Sequence, residues 1–437
     1  MNQHQTPSVA GTTERRLLVL VSAVQFVNIL DFMVVMPLGP DFARELGIPL
    51  SHLGWIGGAY TGAASIAGLL SARFLDRFDR RAALGVTLVG LVIGTACGGL
   101  GTGLVSLMLA RVLAGAFGGP ASALVLSIVA DVVPPARRGR ALGFVMGAFS
   151  LATVLGLPAA LELSRLGGWR MAFFAVAALG VVVGVATLMI MPPLRVHLDE
   201  ARNEGLPLSP APGEAGLFAD GGASWLTLLA TFCVMTAAFA IIPNISGYVQ
   251  HNLHYPREHL GVLYLAGGGC SFVVMRLMGP LVDRTGAAFT ALLGTVLFVG
   301  LLAAAFVAEW QLPAALIYLT FMSSMAVRNI SLGALSSRVP LAHERARFMS
   351  LQSAVQHAAS SLGAIGSAQL LHERADLSLE GMPRVASIAI ALAMLLPWLL
   401  YLVERRLAVR DAALPAPVTA AITEEAPPAH ASSDLGA

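Results

Sequence analysis

The chain has 437 residues and a formal net charge of +2, with 56% apolar and 12% charged residues. Its mean hydropathy of +0.76 is far above that of soluble globular domains, which excludes a soluble protein. The chain contains no lysine, the residue with which a P-loop reaches nucleotide phosphates, so an ATP-driven motor of that kind is excluded as well.

Twelve apolar stretches are long enough to cross about 30 Å of hydrocarbon as α-helices. We number them spans 1 to 12, and they lie at about residues 17–39, 52–72, 82–103, 105–131, 139–161, 171–191, 224–248, 258–281, 286–308, 312–334, 347–371 and 384–403. Span 1 begins like a secretory signal, but it continues through Asp31 to Leu38 without an Ala-x-Ala-like cleavage site. The pattern therefore predicts an all-α membrane protein.

A ten-residue loop after span 2 recurs after span 8. The segment Ala72 to Arg81 returns in weakened form 207 positions later, from Gly279 to Ala288, and the same offset carries Arg138 onto Arg345. A repeat of about half the chain, built of membrane spans, is typical of secondary transporters. The twelve spans are therefore predicted to form two halves of six.

The arginines predict the orientation of the chain. If the N-terminus is cytoplasmic, 18 of the 27 arginines lie in cytoplasmic segments, six lie on the other side and three lie inside spans. This bias, together with the even number of spans, places both termini on the cytoplasmic side, and the membrane is expected to be a bacterial inner membrane. Five parts are predicted: a cytoplasmic N-terminus (1–16), an N-terminal six-helix bundle (17–191), a cytoplasmic linker (192–223), a C-terminal six-helix bundle (224–404) and a disordered cytoplasmic tail (405–437).

The repeated loop resembles the signature of the major facilitator superfamily, usually Gly-x-x-x-Asp-Arg-x-Gly-Arg-Arg. The residues that match are Asp76, Arg77, Arg80 and Arg81 in the first copy and Gly279, Asp283 and Arg284 in the second. The resemblance implies twelve helices in two pseudo-symmetric bundles, alternating access to a midplane site, and loops that latch the two halves on the cytoplasmic side. Asp79 adds a carboxylate where the family usually has none.

Spans 4 and 5 resemble the same family. In span 4, Arg111 precedes a glycine-rich face, as in the family's span 4 motif, and the glycines are Gly115, Gly118 and Gly119. Span 5 resembles the proton-antiporter motif, in which glycines and a proline bend the helix and seal the outer end of the cavity. Its matching residues are Gly147, Gly156 and Pro158. The following Trp169-Arg170 is most similar to the drug-efflux and sugar-efflux permeases of that branch.

Asp31 is the only acidic residue well inside span 1, and Gln25 and Asn28 precede it at three-residue spacing. Residues so spaced share a helix face, so we expect this stripe to line the central cavity. Arg111 is the expected partner of Asp31. Burial favours a protonated carboxyl and a nearby arginine favours an ionised one, and these opposed effects suit a proton switch. Two alternatives remain open: a fixed pair that only sets helix packing, and an Arg111 that extends to the outer surface.

The second half offers candidates for the substrate side of the cavity, which are Arg328, Gln352, Gln356 and His357. An arginine can hold an anionic or polyhydroxylated substrate by forked hydrogen bonds, and the glutamines can read hydroxyls. For His357 a packing role is the alternative. Arg276 is a further candidate, whose alternative is a structural role beside the second signature loop.

These patterns predict a secondary active transporter that exports a small organic solute, drug-like or a sugar, in exchange for protons. One alternative is a proton symporter or a uniporter for metabolite uptake. A non-transporting membrane receptor or scaffold with the same fold is an alternative of another class. No enzymatic activity, cofactor, metal site or nucleic-acid partner is predicted. The expected partners are the substrate, protons and the lipid bilayer, and the protein is expected to be monomeric.

Overall fold

The computed structural model describes residues 11–71, 75–195, 222–340 and 345–413, which are almost entirely helical. The helices are α1 Gly11–Leu46, α2 Leu53–Ser71, α3 Arg80–Gly99, α4 Leu104–Val132, α5 Pro135–Leu151, α6 Leu157–Gly167, α7 Trp169–Ile190, α8 Ala223–His251, α9 Leu260–Thr285, α10 Ala287–Leu302, α11 Ala314–Ser336, α12 Arg345–Leu370 and α13 Met382–Ala413. A π turn joins α5 and α6 into one continuous rod, which is span 5. All twelve predicted spans are therefore helical, with α7 to α13 as spans 6 to 12.

Eleven of these twelve rods are long and apolar enough to cross a membrane, judged over the described residues. The exception is α12, whose 26 residues include Gln352, Gln356 and His357. This helix packs against α2 of the first half and α8 of the second. A polar helix is compatible with the membrane interior when its polar side chains face protein or water and not lipid.

The halves α1–α7 and α8–α13 meet along three lines of contact, which are α2 with α12, α1 with α8, and the rod of α5 and α6 with α9. One apolar cluster lies within the first half and a second lies within the second half. A third cluster crosses between them, because it includes Val34 and Leu38 of α1 together with Ile241 and Val249 of α8. The two bundles thus share a continuous apolar core.

Two predicted boundaries differ from the structure. The first helix begins at Gly11, inside the segment predicted to precede span 1. The last helix continues to Ala413, so the predicted disordered tail is wrong for residues 405–413. Leu407 is 2% exposed in this extension, and Arg410 Nη1 donates to the Val339 carbonyl at 2.8 Å, which anchors it below α11. The predicted termini beyond residues 11 and 413, and most of the linker, lie outside the described residues.

Span 5 is irregular where its sequence carries glycine and proline. The π turn covers Ala152–Gly156 and ends two residues before Pro158. Proline lacks a backbone N–H and its ring clashes with the carbonyl four residues earlier, so a locally widened turn accommodates it. Gly147 lies one turn before this irregularity, and a Cβ built on it meets nothing within 4 Å. The bending role of these residues stays a prediction.

Candidate functional site

A buried ion pair joins α1 and α4. The side chains of Asp31 and Arg111 are 0% and 1% exposed. Arg111 donates from Nη1 to Asp31 Oδ2 and from Nη2 to Oδ1, both at 3.1 Å, and also from Nη1 to the Asp31 carbonyl at 3.2 Å. The Thr95 hydroxyl of α3 donates to Oδ1 at 2.6 Å. The structure therefore brings the two predicted partners together in a bidentate geometry, which is the strong form of such pairs.

Two aromatic rings flank this guanidinium. The Arg111 Cζ lies 5.6 Å from the ring centroid of Tyr60 and 5.5 Å from that of Phe173, within the range of cation–π attraction. Glycines make room for the ring of Phe173 and for the backbone of Tyr60. A Cβ on Gly98 would lie 2.7 Å from Phe173 Cε1, and a Cβ on Gly115 would lie 2.1 Å from the Tyr60 carbonyl oxygen. The glycine-rich face of α4 therefore lets α2 approach until Tyr60 reaches the ion pair.

Asn28 and Gln25 lie between α1 and α4, and not on the exposed side of α1. Asn28 Nδ2 donates to the Gly118 carbonyl at 3.0 Å and to Ser122 Oγ at 2.7 Å, while Asn28 Oδ1 accepts from the Tyr60 hydroxyl at 2.9 Å. Ser122 Oγ in turn donates to Gln25 Oε1 at 3.4 Å. The two side chains thus belong to the polar interior of the first bundle in this conformation, and their predicted contact with substrate stays a prediction.

Tyr60 also links the ion pair to the second half. Its ring stacks on Phe32 with 5.2 Å between centroids, and Phe32 lies 5.7 Å from the ring of Phe239 on α8. Phe32 directly follows Asp31 in α1. Only Phe32 and its one aromatic contact therefore separate the Asp31 carboxylate from the interface between the halves.

Arg328 is the charged centre of the second half. It is 0% exposed, its guanidinium lies 4.2 Å from the Phe298 ring centroid, and its Nη1 lies 3.8 Å from the sulfur of Met325. Its Nε and Nη2 have no hydrogen-bond partner within the described part of the chain. A buried guanidinium with two unsatisfied donors is costly, which sets Arg328 apart from the paired Arg111.

The three predicted polar residues of α12 are placed differently. Gln352 is buried and donates from Nε2 to the Thr231 hydroxyl of α8 at 3.2 Å. His357 is partly buried, with Nδ1 at 2.8 Å from the Ser353 carbonyl of the preceding turn. Gln356 is exposed. Gln352 is thus a contact between helices, whereas Gln356 is the residue of this group that remains open to a ligand.

A neutral hydroxyl cluster occupies the second-half position that corresponds to the ion pair. Counting 207 positions on from Arg111 leads to Tyr318. The Ser246 hydroxyl lies 2.9 Å from that of Tyr264 and 3.0 Å from that of Tyr318. The two halves are alike in fold and different in charge at this position, which sequence symmetry alone does not predict.

The first signature loop is tied to its own half. Arg80 is buried and its Nε lies 3.2 Å from Asp131 Oδ2 at the end of α4, while Arg81 donates to the Leu188 carbonyl of α7. Asp79 caps α3 by accepting from the Arg81 N–H at 2.8 Å, and it also pairs with Arg195 at 2.9 Å. Arg77 is exposed, and the side chain of Asp76 lies outside the described part. The predicted latch between the halves stays a prediction.

The second signature loop is held by a residue that the sequence did not single out. Glu404 of α13 accepts from the backbone N–H groups of Ala287 and Ala288 at 2.6 and 3.2 Å, at the start of α10. Asp283 and Arg284 are exposed, and a Cβ on Gly279 would lie 3.7 Å from Ile330. The third long helix of each half is therefore capped by a carboxylate, supplied by the loop itself in one half and by the last helix in the other.

An ion pair joins the two halves near the C-terminal end of α1, and sequence reasoning missed it. Arg257, just before α9, donates from Nε to both carboxylate oxygens of Asp41 at 2.8 and 2.9 Å, and Ser164 Oγ donates to Asp41 at 3.3 Å. Nearby, the Leu50 N–H donates to Glu373 in a short hairpin formed by His372–Glu373 and Leu379–Glu380. Both bonds connect the first half to the second. Asp41 follows Pro40 at the end of span 1, but nothing local points to a partner 216 positions away.

Comparisons with known proteins agree with this architecture. The chain is 29% identical over 318 residues to a chloramphenicol resistance protein of Streptomyces lividans, covering 70% of this chain and 76% of that protein. It is 28% identical over 173 residues to a chloramphenicol efflux pump of Mycobacterium tuberculosis, covering 39% of this chain and 42% of the pump. A match to multidrug resistance protein 2 of Bacillus subtilis, at 25% identity, covers 44% of that relative.

Solved structures share the fold. An inward-facing, unoccupied bacterial homologue of the human lysosomal transporter Spinster superposes with a TM-score of 0.65 at 17% identity, over 93% of this chain and all of that one. The human organic anion transporter MFSD10 superposes with a TM-score of 0.63 at 17% identity, over 89% of this chain and 99% of the other. The model of the Major Facilitator Superfamily matches residues 21–364, with a second match at 227–429. The chain belongs to the major facilitator superfamily and is a membrane transporter, not an enzyme.

Proposed function

We propose that this transporter exports a small organic solute from the cytoplasm in exchange for protons, and that Asp31 and Arg111 carry the proton-dependent step. The observation that carries the proposal is their bidentate pair, with both side chains at most 1% exposed. Within the described chain, Asp31 is the one carboxylate at the middle of a membrane-spanning helix. Such a residue is expensive to keep in a membrane unless it is functional or paired.

The geometry indicates what protonation would change. A protonated carboxyl has no charge for Arg111 to balance and accepts fewer hydrogen bonds, so the two bonds at 3.1 Å weaken together. The guanidinium is then free to shift between Tyr60 and Phe173. Tyr60 contacts Phe32, which contacts Phe239 across the interface between the halves. Proton binding is thereby linked to the surface along which the halves rock.

The names of the relatives support export of drug-like compounds, because three of them are named for chloramphenicol or multidrug resistance. The distribution of arginines supports both termini on the cytoplasmic side of the inner membrane. The outer closure by Asp41 and Arg257 supports a cycle in which this conformation receives substrate from the cytoplasmic side. Release then requires the outer ion pair to open.

The test is substrate-driven proton movement in proteoliposomes that contain the full chain, with chloramphenicol as the probe. Addition of chloramphenicol should change the pH of the lumen of the wild-type proteoliposomes. The sign of the change should be that of exchange, in which protons move in the direction opposite to the drug. Asp31→Asn should abolish this signal. Glu162→Gln is the matched control, because Glu162 pairs with Arg165 at the exposed end of α6 and should keep full coupling.

The other outcomes separate the alternatives. Proton movement in the same direction as the substrate would indicate a symporter, and flux without proton movement would indicate a uniporter. Binding without flux would indicate a receptor. Coupled exchange that survives Asp31→Asn would show that the proton is carried elsewhere and that the ion pair serves packing.

A further inference from the structure

We infer that the transport pathway favours organic anions over organic cations of the same size, because the second half presents arginine charge that no carboxylate of the described residues balances. The inference rests on the proposed export function and assigns its substrate class. It is carried by two side chains, Arg328 on α11 and Arg276 on α9, and by the placement of the carboxylates in the described membrane segments.

Arg328 supplies a buried charge without a counter-ion. Its guanidinium is fully buried against Phe298, and two of its three nitrogens have no partner among the described residues. In a medium of low dielectric, an unpaired charge acts over several ångströms with little screening. The neighbouring pathway is therefore electropositive even while Arg328 itself is covered.

Arg276 supplies an exposed charge at a similar depth. It lies nine residues before the end of α9 at Thr285, about 13 Å along the helix at 1.5 Å per residue. Predicted span 8 ends earlier, at about residue 281, so Arg276 lies about 7 Å along the helix from the cytoplasmic boundary of that span. Its side chain is exposed and lies 5.5 Å from the ring of Phe272. A guanidinium at this depth is stable where it faces water, and contact with lipid would be costly.

The surroundings of Arg276 place it beside the interface between the halves. One and two turns toward the outer side, α9 packs on span 5, where a Cβ on Gly268 would lie 3.2 Å from the Thr153 carbonyl. Toward the cytoplasm, side chains on both rods are exposed, including Met146 and Phe149 of α5 and Leu277 of α9. Arg276 therefore lies at the height where α9 and span 5 cease to touch each other and their side chains become exposed.

The carboxylates in the described membrane segments do not offset these charges. Asp31 is neutralised by Arg111. Asp131 pairs with Arg80 at the cytoplasmic end of α4, and Glu162 pairs with Arg165 at the outer end of α6. Glu404 caps α10 near the cytoplasmic end of α13. No described carboxylate is within salt-bridge distance of Arg276 or Arg328, so neither charge is neutralised within the described part of the chain.

This arrangement selects by charge. A cation entering the pathway is repelled by both guanidinium groups, whereas an anion is attracted and can accept paired hydrogen bonds from the planar fork of an arginine. Gln356, which is exposed on α12, adds a donor and an acceptor for neutral groups. We therefore expect affinity to fall in the order anion, neutral molecule, cation.

The experiment compares fluorescein, a dianion, with rhodamine 123, a cation built on the same ring system. Binding of each dye to the purified full-length protein is measured by fluorescence anisotropy at pH 7.5. The wild type should bind fluorescein at least tenfold more tightly than rhodamine 123. Arg276→Gln should reduce this ratio about tenfold, and Arg328→Gln should do the same if it folds. Arg165→Gln, which removes an arginine from an exposed pair, is the control and should leave the ratio unchanged.

Three results would overturn the inference: equal or tighter binding of rhodamine 123 by the wild type, no fluorescein binding at millimolar concentration, or an unchanged ratio in Arg276→Gln and a folded Arg328→Gln. Because binding does not require proton movement, this failure is separate from that of the proposed exchange. Coupled export together with tighter binding of rhodamine 123 would contradict only the preference for anions. Anion-selective binding without any coupled flux would contradict only the exchange mechanism.

Discussion

At the residue scale, the buried charges of the two halves are handled in different ways. Asp31 and Arg111 neutralise each other, and Thr95 satisfies a remaining lone pair of the carboxylate. Arg328 lies against an aromatic face and a thioether, and no carboxylate of the described residues forms a salt bridge with it. Breaking a buried pair by removing one partner leaves an uncompensated charge, and Arg328 already stands in that condition. This difference underlies the two roles that we propose, a proton switch in the first half and attraction of a ligand in the second.

Asp79 departs from the family signature, and its carboxylate is held by hydrogen bonds at the start of α3. Burial raises the pKa of the Asp79 carboxyl, but hydrogen bonds from Arg195 and from the backbone N–H groups of Arg81 and Leu194 outweigh it and hold the pKa below its ordinary value. A carboxyl whose pKa is lowered by folding stabilises the folded chain. This contribution is complete at pH values above the pKa of the carboxyl in the unfolded state, which is about 4. This contribution is lost as the pH falls through the folded-state pKa.

We expect Asp79→Ala to lower the free energy of unfolding by about 1 kcal/mol at pH 7, because it removes the N-cap of α3. The difference from wild type should shrink below about pH 4, as the wild-type carboxylate becomes protonated. Unfolding by SDS titration in mixed micelles at pH 7 and below pH 4 measures both effects. Asp283→Ala is the control, since Asp283 is an exposed carboxylate of the second loop, where it corresponds to Asp76 and not to Asp79. A loss of the same size at both pH values would contradict the assignment.

At the element scale, the packing of α2 on α4 depends on glycines that no larger residue can replace. The Cβ of an alanine at position 115 would lie 2.1 Å from the Tyr60 carbonyl oxygen, and one at position 119 would lie 2.3 Å from the Ala64 carbonyl oxygen. Both obstacles are backbone atoms, which cannot turn aside as a side chain can. The two helices would have to separate, and Tyr60 would withdraw from Asn28 and Arg111.

Gly115→Ala should therefore destabilise the protein by about 1–3 kcal/mol, as overpacking of a tight core does. Gly143→Ala is the matched control, because a Cβ there meets nothing within 4 Å and alanine favours a helix more than glycine does. The variants can be compared by SDS titration and by chloramphenicol-driven proton movement. If both variants were equally stable and equally active, close approach of α2 and α4 would not be the reason for glycine at position 115.

At the scale of the whole molecule, several contacts join the halves at the end that we propose to be the outer one. Asp41 and Arg257 form a half-buried pair, and a Cβ on Gly54 of α2 would lie 2.0 Å from the Ala364 carbonyl of α12. Further along the same two helices, Ser361 Oγ donates to the Gly58 carbonyl at 2.8 Å. Opening of the molecule at this end must break the ion pair and separate these backbones.

We expect Arg257→Gln to shift the protein toward the outward-open state. A maleimide that cannot cross the membrane should label Ser361→Cys from the outside about tenfold faster in this variant, equivalent to about 1.4 kcal/mol for a half-buried pair. The assay requires a background without Cys97, Cys233 and Cys270. The exchanged pair Asp41→Arg with Arg257→Asp should restore slow labelling. If labelling stayed fast in the exchanged pair, attraction between these two side chains would not be what holds the outer end closed.

Much of the fold could be predicted because its signals are local. Each span is a run of apolar residues, and the repeated loop shows the division into halves without any knowledge of contacts. The sequence also predicts the polar helix α12 as a span, although this helix is less apolar than the other eleven rods. The sequence did not predict the helical extension to Ala413, because the arginines around Leu407 make this segment polar although Leu407 itself is buried.

By itself, the sequence determined the membrane class, the twelve spans, the two halves and the candidate pair Asp31 and Arg111, because hydropathy, repetition and a lone buried charge can be recognised along one chain. Tertiary structure alone decided which helix each side chain faces. Asn28 shares a face with Asp31, yet it contacts a carbonyl 90 positions away, and Asp41 pairs with a residue 216 positions away. Such partners depend on how helices are rotated and packed, and helical spacing fixes a face without fixing what lies against it.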